Sequence, residues 1–102
     1  MSQTRMMLQA DLESIRGVKK VYFDPPAGIH MEYPCIVYNY TNDITLYADN
    51  QIYLGNRRYT ITVIDENPDS RIPLEIMRFP HCSSDRNFKS DGLNHFVFTL
   101  FY

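Results

Sequence analysis

Arg57 to Ile76 reads RRYTITVIDENPDSRIPLEI, and the fold class follows from how its two halves differ. In the first half Tyr59, Ile61 and Val63 alternate with Arg58, Thr60 and Thr62, the period of two that puts apolar side chains on one face of a strand and polar ones on the other. The alternation stops at Asp65-Glu66-Asn67-Pro68-Asp69-Ser70, a run of turn formers. Asp69 or Ser70 is placed to cap a short helix carrying Ile72, Ile76 and Met77. A strand, an acidic corner and a helix folded back onto that strand make one packing unit.

Outward from this unit, the N-terminal side supplies a second helix and two more strands. Ser2 can cap a helix with the apolar stripe Leu8, Leu12 and Ile15, with Met7 on its flank and Gly17 as its stop after Arg16. One apolar side means that this helix lies on a sheet. Val18 to Phe23 is a short strand closed by Asp24-Pro25-Pro26-Ala27-Gly28. Met31 to Thr41 is a stronger one, with Cys35 and Val37 on one face and Ile36, Tyr38 and Tyr40 on the other. Pro34, which has no N–H to donate, belongs at its start or on an edge. From Asn42 to Asn56 the chain turns polar and reads as a long loop or a protruding β-ribbon.

On the C-terminal side Phe79-Pro80 ends the helix. His81 to Phe88 can pair with Leu93 to Tyr102 across Lys89-Ser90-Asp91-Gly92, where Asp-Gly is a hairpin signal. The last strand is apolar twice over: Phe96, Phe98, Leu100 and Tyr102 share one face, Val97, Thr99 and Phe101 the other. Such a strand is either covered by its own chain on both sides or covered on one side by another subunit, and two short helices favour the second. The fold class expected is α+β: a single small domain over residues 1–102, a mixed, mostly antiparallel β-sheet packed by two short α-helices.

Composition narrows the function classes. Ten basic against twelve acidic residues give a net charge of -2, without the basic excess of a protein that grips nucleic acid through its phosphates. No stretch has the length of a signal-peptide core or a membrane span, so the chain is expected inside a cell and away from membranes. In that compartment Cys35 and Cys82 read as buried apolar residues and the sequon Asn39-Tyr40-Thr41 as silent. Eight Tyr, six Phe and no Trp suit either half-exposed strands or contact surfaces that are both apolar and wet.

The chemistry of sites is thin. His30, His81 and His95 are scattered, and His81 and Cys82 point opposite ways in a strand, so they do not chelate one ion. His81, Ser83 and Asp85 resemble a nucleophile and its base only loosely, since the Gly-x-Ser-x-Gly turn is absent; a small hydrolase or ligand-binding domain built on them is the reading from a different class. The four glycines are isolated, so no phosphate-cradling loop exists. The corner at Asp65 lacks the glycine and distant Glu of a calcium loop. Asp85-Arg86 is either an ion pair to a neighbour or a solvated pair. No catalytic, cofactor-binding or metal-ligating residue is assigned.

YPCIVY (Tyr33 to Tyr38), RYTITVIDENPDSRIP (Arg58 to Pro73), HCSSDRNF (His81 to Phe88) and GLNHFVFTLFY (Gly92 to Tyr102) resemble the tail terminator, or tail-to-head joining, proteins of long-tailed bacteriophages and related prophages. The resemblance implies a helix-flanked mixed sheet, assembly into a homo-oligomeric, hexameric ring, capping of the finished tail tube, and docking onto the head connector or head-completion protein. It implies no enzyme activity and no cofactor, DNA that passes through without specific binding, and residence in the virion after assembly in the host cytoplasm. Another neck, head-completion or minor tail protein is the alternative within the same particle. The surface residues nominated for contacts between subunits are Tyr47 and Tyr53 in the polar excursion, Arg58 on the polar face of the central strand, and Phe101 and Tyr102 at the end of the last one.

Overall fold

A computed structural model of the chain describes residues 5–40 and 58–102. Within them the order of elements is α1 (Arg5–Glu13), β1 (Lys20–Phe23), β2 (Cys35–Tyr40), β3 (Arg58–Asp65), α2 (Ile72–Ile76), β4 (Cys82–Ser90) and β5 (Leu93–Phe101). The strands form one five-stranded sheet in the order β1-β2-β3-β5-β4, parallel only between β1 and β2. This is the α+β arrangement expected: a mixed, mostly antiparallel sheet with two short helices. The Asn42–Asn56 excursion lies outside the described residues, as does Ser2.

Both helices lie on one face. Leu8 and Leu12 of α1 and Ile72 and Ile76 of α2 join Ile36, Tyr38, Tyr59, Ile61, Val63, Phe98 and Leu100 in a single core. The alternation of β3 is realised as read: Tyr59, Ile61 and Val63 are fully buried while Arg58, Thr60 and Thr62 are half-buried. Strand pairing carries that alternation across the sheet, because aligned partners point the same way. Tyr38 stands beside Ile61, and Ile61 beside Phe98. The helices cover these rows since the same rows hold the largest apolar area.

Element ends moved where backbone chemistry overrides the apolar pattern. α1 stops at Glu13, short of Arg16 and Gly17: Ser14 N–H still bonds Ala10 O, but Ile15 N–H bonds Leu12 O, a tightened last turn. Gly17 follows at φ +96°, a left-handed position that turns the chain toward β1. β1 opens at Lys20 instead of Val18, and β2 at Cys35 instead of Met31. Pro34, which cannot donate to the ladder, fixes the second boundary, and its carbonyl takes Lys19 N–H at 2.8 Å.

At the acidic corner two side chains organise the turn in sequence. Asp65 Oδ1 accepts the Asn67 N–H and Asn67 Oδ1 accepts the Asp69 N–H, each at 2.9 Å, the self-bonding that makes these residues turn formers. The helix cap differs from expectation. Arg71 occupies the cap without a side-chain bond, and Ser70 Oγ accepts the Ile72 N–H from one residue further back. Pro73 in the first turn needs no donor and supplies the start instead. Met77 is at the C-cap and 45% exposed rather than on the buried stripe, because a helix of five residues offers only Ile72 and Ile76 to the core.

The hairpin is tighter than its sequence segment suggested. β4 and β5 run to Ser90 and from Leu93, leaving only Asp91 (φ +53°) and Gly92 (φ +77°) as the loop, the left-handed pair of a type I′ turn. β4 is an outer strand exposed over Ser83 to Ser90. Among the described residues no helix is long and apolar enough to cross a membrane.

Candidate functional site

The face of the sheet turned away from the helices carries cationic and aromatic side chains around a buried middle formed by Cys35, Ile64, Val97 and Thr99. Register assigns it row by row: Lys20, Cys35, Ile64, His95 and Phe88 in one row, Tyr22, Val37, Thr62, Val97 and Arg86 in the next. Beyond these come Asn39, Thr60, Thr99 and Ser83, and finally Arg58 opposite Phe101. No helix among the described residues lies over this face. At its β1 end the connection to β2 folds back, and Glu32 N–H donates to Tyr22 Oη at 3.1 Å.

Cations here sit against aromatic rings. The Arg58 guanidinium is 6.0 Å from the centre of the Phe101 ring, and Arg86 is 5.3 Å from that of Phe88. Phe88 stacks on His95 with centroids 4.6 Å apart and planes 10° from parallel. Between the two clusters Thr99 Oγ1 donates to Asp85 Oδ2 at 2.7 Å. Asp85 falls where the β4–β5 register slips between Ser84 and Arg86. A bulge adds one residue to one strand and re-aims its side chain, and here it lets a carboxylate reach over the sheet edge to a hydroxyl that is only 7% exposed.

Comparison with protein-family models, with curated proteins and with solved structures finds no match.

Of the residues nominated from sequence, Arg58 and Phe101 are brought together on this face as cross-strand partners. Tyr102 is turned to the helix side, where its ring packs 6.4 Å from Phe79 and its hydroxyl donates to Asp11 Oδ2 at 2.5 Å. Burial, with the Asp11 carboxylate alongside, pushes its phenol up to about 12. Tyr47 and Tyr53 lie outside the described residues. Arg86, Phe88 and His95 were missed as contact residues, although Asp91-Gly92 carried the signal. A two-residue loop at 91–92 pins Phe88 opposite His95 before any coordinates are known.

The loose constellation His81, Ser83 and Asp85 is not assembled. The Asp85 carboxylate accepts from Thr99, not from His81 or Ser83. His81, at φ +60°, serves the backbone, its carbonyl accepting the Phe101 N–H at 3.1 Å. Nor does Asp85 pair with Arg86, whose guanidinium is over Phe88. Among the described residues no three His, Cys, Asp or Glu side chains are grouped to hold a metal ion.

The two thiols are free, and three strand-to-strand steps separate β2 from β4, about 14 Å, too far for a disulfide. Burial pushes the Cys35 thiol up to about 11, with Asp65 adding to it, and burial also raises Cys82, helped by Asp85. Both are held as thiols, the form that packs and does not react. A shallow groove between the turn after α1 and the end of α2, lined by Asp11, Ser14, Ile15, Arg16, Glu75, Arg78 and Phe79, holds charges of both signs and one hydroxyl, that of Ser14, which donates to the Asp11 carbonyl at 2.7 Å.

Proposed function

We propose that this chain is a structural subunit of a phage tail, a terminator that assembles into a ring, caps the tail tube and joins it to the head. What supports the reading is the division of the sheet: both helices on one face, and on the other Arg58 beside Phe101 and Arg86 beside Phe88, flanking the buried Val97 and Thr99 of β5. A ring subunit needs two different surfaces for its two neighbours, and one domain with a helical side and a sheet side supplies them. The resemblance of four segments to the terminator family gives the reading its biological setting. Contacts made by cations on aromatic rings, hydroxyls and half-buried apolar groups suit a wet interface between subunits.

Light scattering and negative-stain microscopy of the purified protein, alone and mixed with tail tubes, test it. Annuli, or rings seated on tube ends, are expected. A protein that stays monomeric at high concentration and leaves tube ends bare ends the reading.

A further inference from the structure

We infer that the bulge at Asp85 is an edge guard, which keeps the outer strand β4 from pairing with β4 of a second copy of this chain. Among the described residues β4 is bonded only to β5 and forms one edge of the sheet, exposed from Ser83 to Ser90. A long edge is a template for another strand, because its outward N–H and C=O groups recur at every second residue.

Register shows where that repeat fails. The Phe101 N–H reaches the His81 carbonyl at 3.1 Å, so the odd-numbered residues of β5 turn their backbone groups toward β4, and their partners on β4 turn inward to meet them. These partners are Ser83, Arg86, Phe88 and Ser90, opposite Thr99, Val97, His95 and Leu93. Cys82, Ser84, Asn87 and Lys89 are left facing outward. Ser84 and Asn87 stand three residues apart instead of two, since the register passes from Ser84 to Arg86 without a place for Asp85. A straight strand laid along this edge meets two residues in step and misses the next two.

The bulge is also fastened. Asp85 Oδ2 accepts the Thr99 hydroxyl at 2.7 Å, and Thr99 is only 7% exposed, so the extra residue is tied to β5 and does not slide along β4. The opposite edge is closed by other means: β1 has four residues, and Gln9 Nε2 of α1 donates to the Val21 carbonyl at 3.4 Å. A monomer and a ring subunit need closed edges equally, so the guard stands apart from the ring reading.

Deleting Asp85 joins Ser84 directly to Arg86, whose partners Phe98 and Val97 are already consecutive, and puts all four outward residues into one even series. Sedimentation velocity, with circular dichroism to confirm the fold, compares this deletion with the parent chain and with Asp85→Asn, which keeps the extra residue and an acceptor for Thr99 but no charge. Of these only the deletion is expected to tighten self-association, by at least about tenfold, through the backbone bonds of a new ladder. Hydrogen exchange followed by NMR should find the Asn87 and Lys89 amides slow in the associated deletion variant and fast in the parent. A folded deletion variant that associates no better than the parent overturns the guard. So does an Asp85→Asn variant that associates as strongly as the deletion, because charge and not the extra residue then closes the edge. Slow exchange at these amides in the parent, or fast exchange in the associated deletion variant, overturns it too. If the deletion does not fold, Thr99→Val unfastens the bulge at full chain length and should raise association above that of the parent; unchanged association is then the overturning result.

Discussion

His95 lies flat against Phe88, ring centres 4.6 Å apart, because Asp91 and Gly92 close the hairpin in two residues and fix which side chains face each other. Both loop residues have positive φ, and only the glycine adopts it without cost. Space is not the constraint at Gly92, since nothing lies within 4 Å of a Cβ placed there. Gly92→Ala should therefore destabilise the chain by about 1 kcal/mol through backbone strain alone. The measurement is urea denaturation, with the His95 ring protons followed by NMR to report the stack. Unchanged stability would mean that the loop does not set the register.

Burial separates the apolar residues of α1 sharply enough to give opposite outcomes for one substitution. Leu12 is fully buried against the sheet whereas Met6, earlier on the same helix, is 61% exposed. Leu12→Ala should cost about 2–5 kcal/mol, the lost transfer free energy plus the cavity left behind. Met6→Ala should stay within about 0.5 kcal/mol. Thermal or urea unfolding of both checks that α1 holds the sheet by this one stripe.

Phe101 and Tyr102 are adjacent but answer to different structures. Phe101→Asp places a charge on the sheet face next to Arg58 and should impair assembly with the far-UV spectrum retained. Tyr102→Phe removes the hydroxyl that Asp11 accepts and should lower stability by about 1 kcal/mol while assembly survives. Sedimentation read beside unfolding curves distinguishes them. If Phe101→Asp assembles normally, β5 is not where subunits meet.

The parts of this fold that were legible in sequence are those written in local periodicity. Tyr59, Ile61 and Val63 declared their face by alternation, Leu8 and Leu12 by helical spacing, and Asp91-Gly92 by the backbone angles that few other pairs tolerate. What escaped was non-local. Nothing in the segment around Asp85 announces a bulge, since the slip arises from matching β4 to the fixed register of β5, and the bond to Thr99 exists only after that slip. Asn94 was equally silent, yet its side-chain amide donates to the carbonyls of Asp65 and Glu66 and fastens the acidic corner to β5. The parallel pairing of β1 with β2 has no local signature either, because both strands are too short for pattern to tell direction.

Cys35 sets the alkaline limit of stability that this core predicts. The side chain is fully buried, and burial first, then Asp65, raises its thiol from 9.0 to about 11. Above pH 9 the unfolded chain ionises at this position while the folded one still holds its proton, so ionisation draws the equilibrium toward unfolding. The stabilising contribution is complete below pH 9, declines as the pH rises toward 11, and is spent once the folded thiol also ionises. Tyr102, raised from 10.0 to about 12, extends the decline in the same direction. Cys35→Ala removes the first of these ionisations at the expense of a small cavity. Its unfolding free energy should therefore start lower near pH 7 but fall less steeply between 9 and 11 than that of the parent chain. Urea midpoints measured at intervals across that range test this; parallel slopes would show that the thiol ionises equally in the folded and unfolded states.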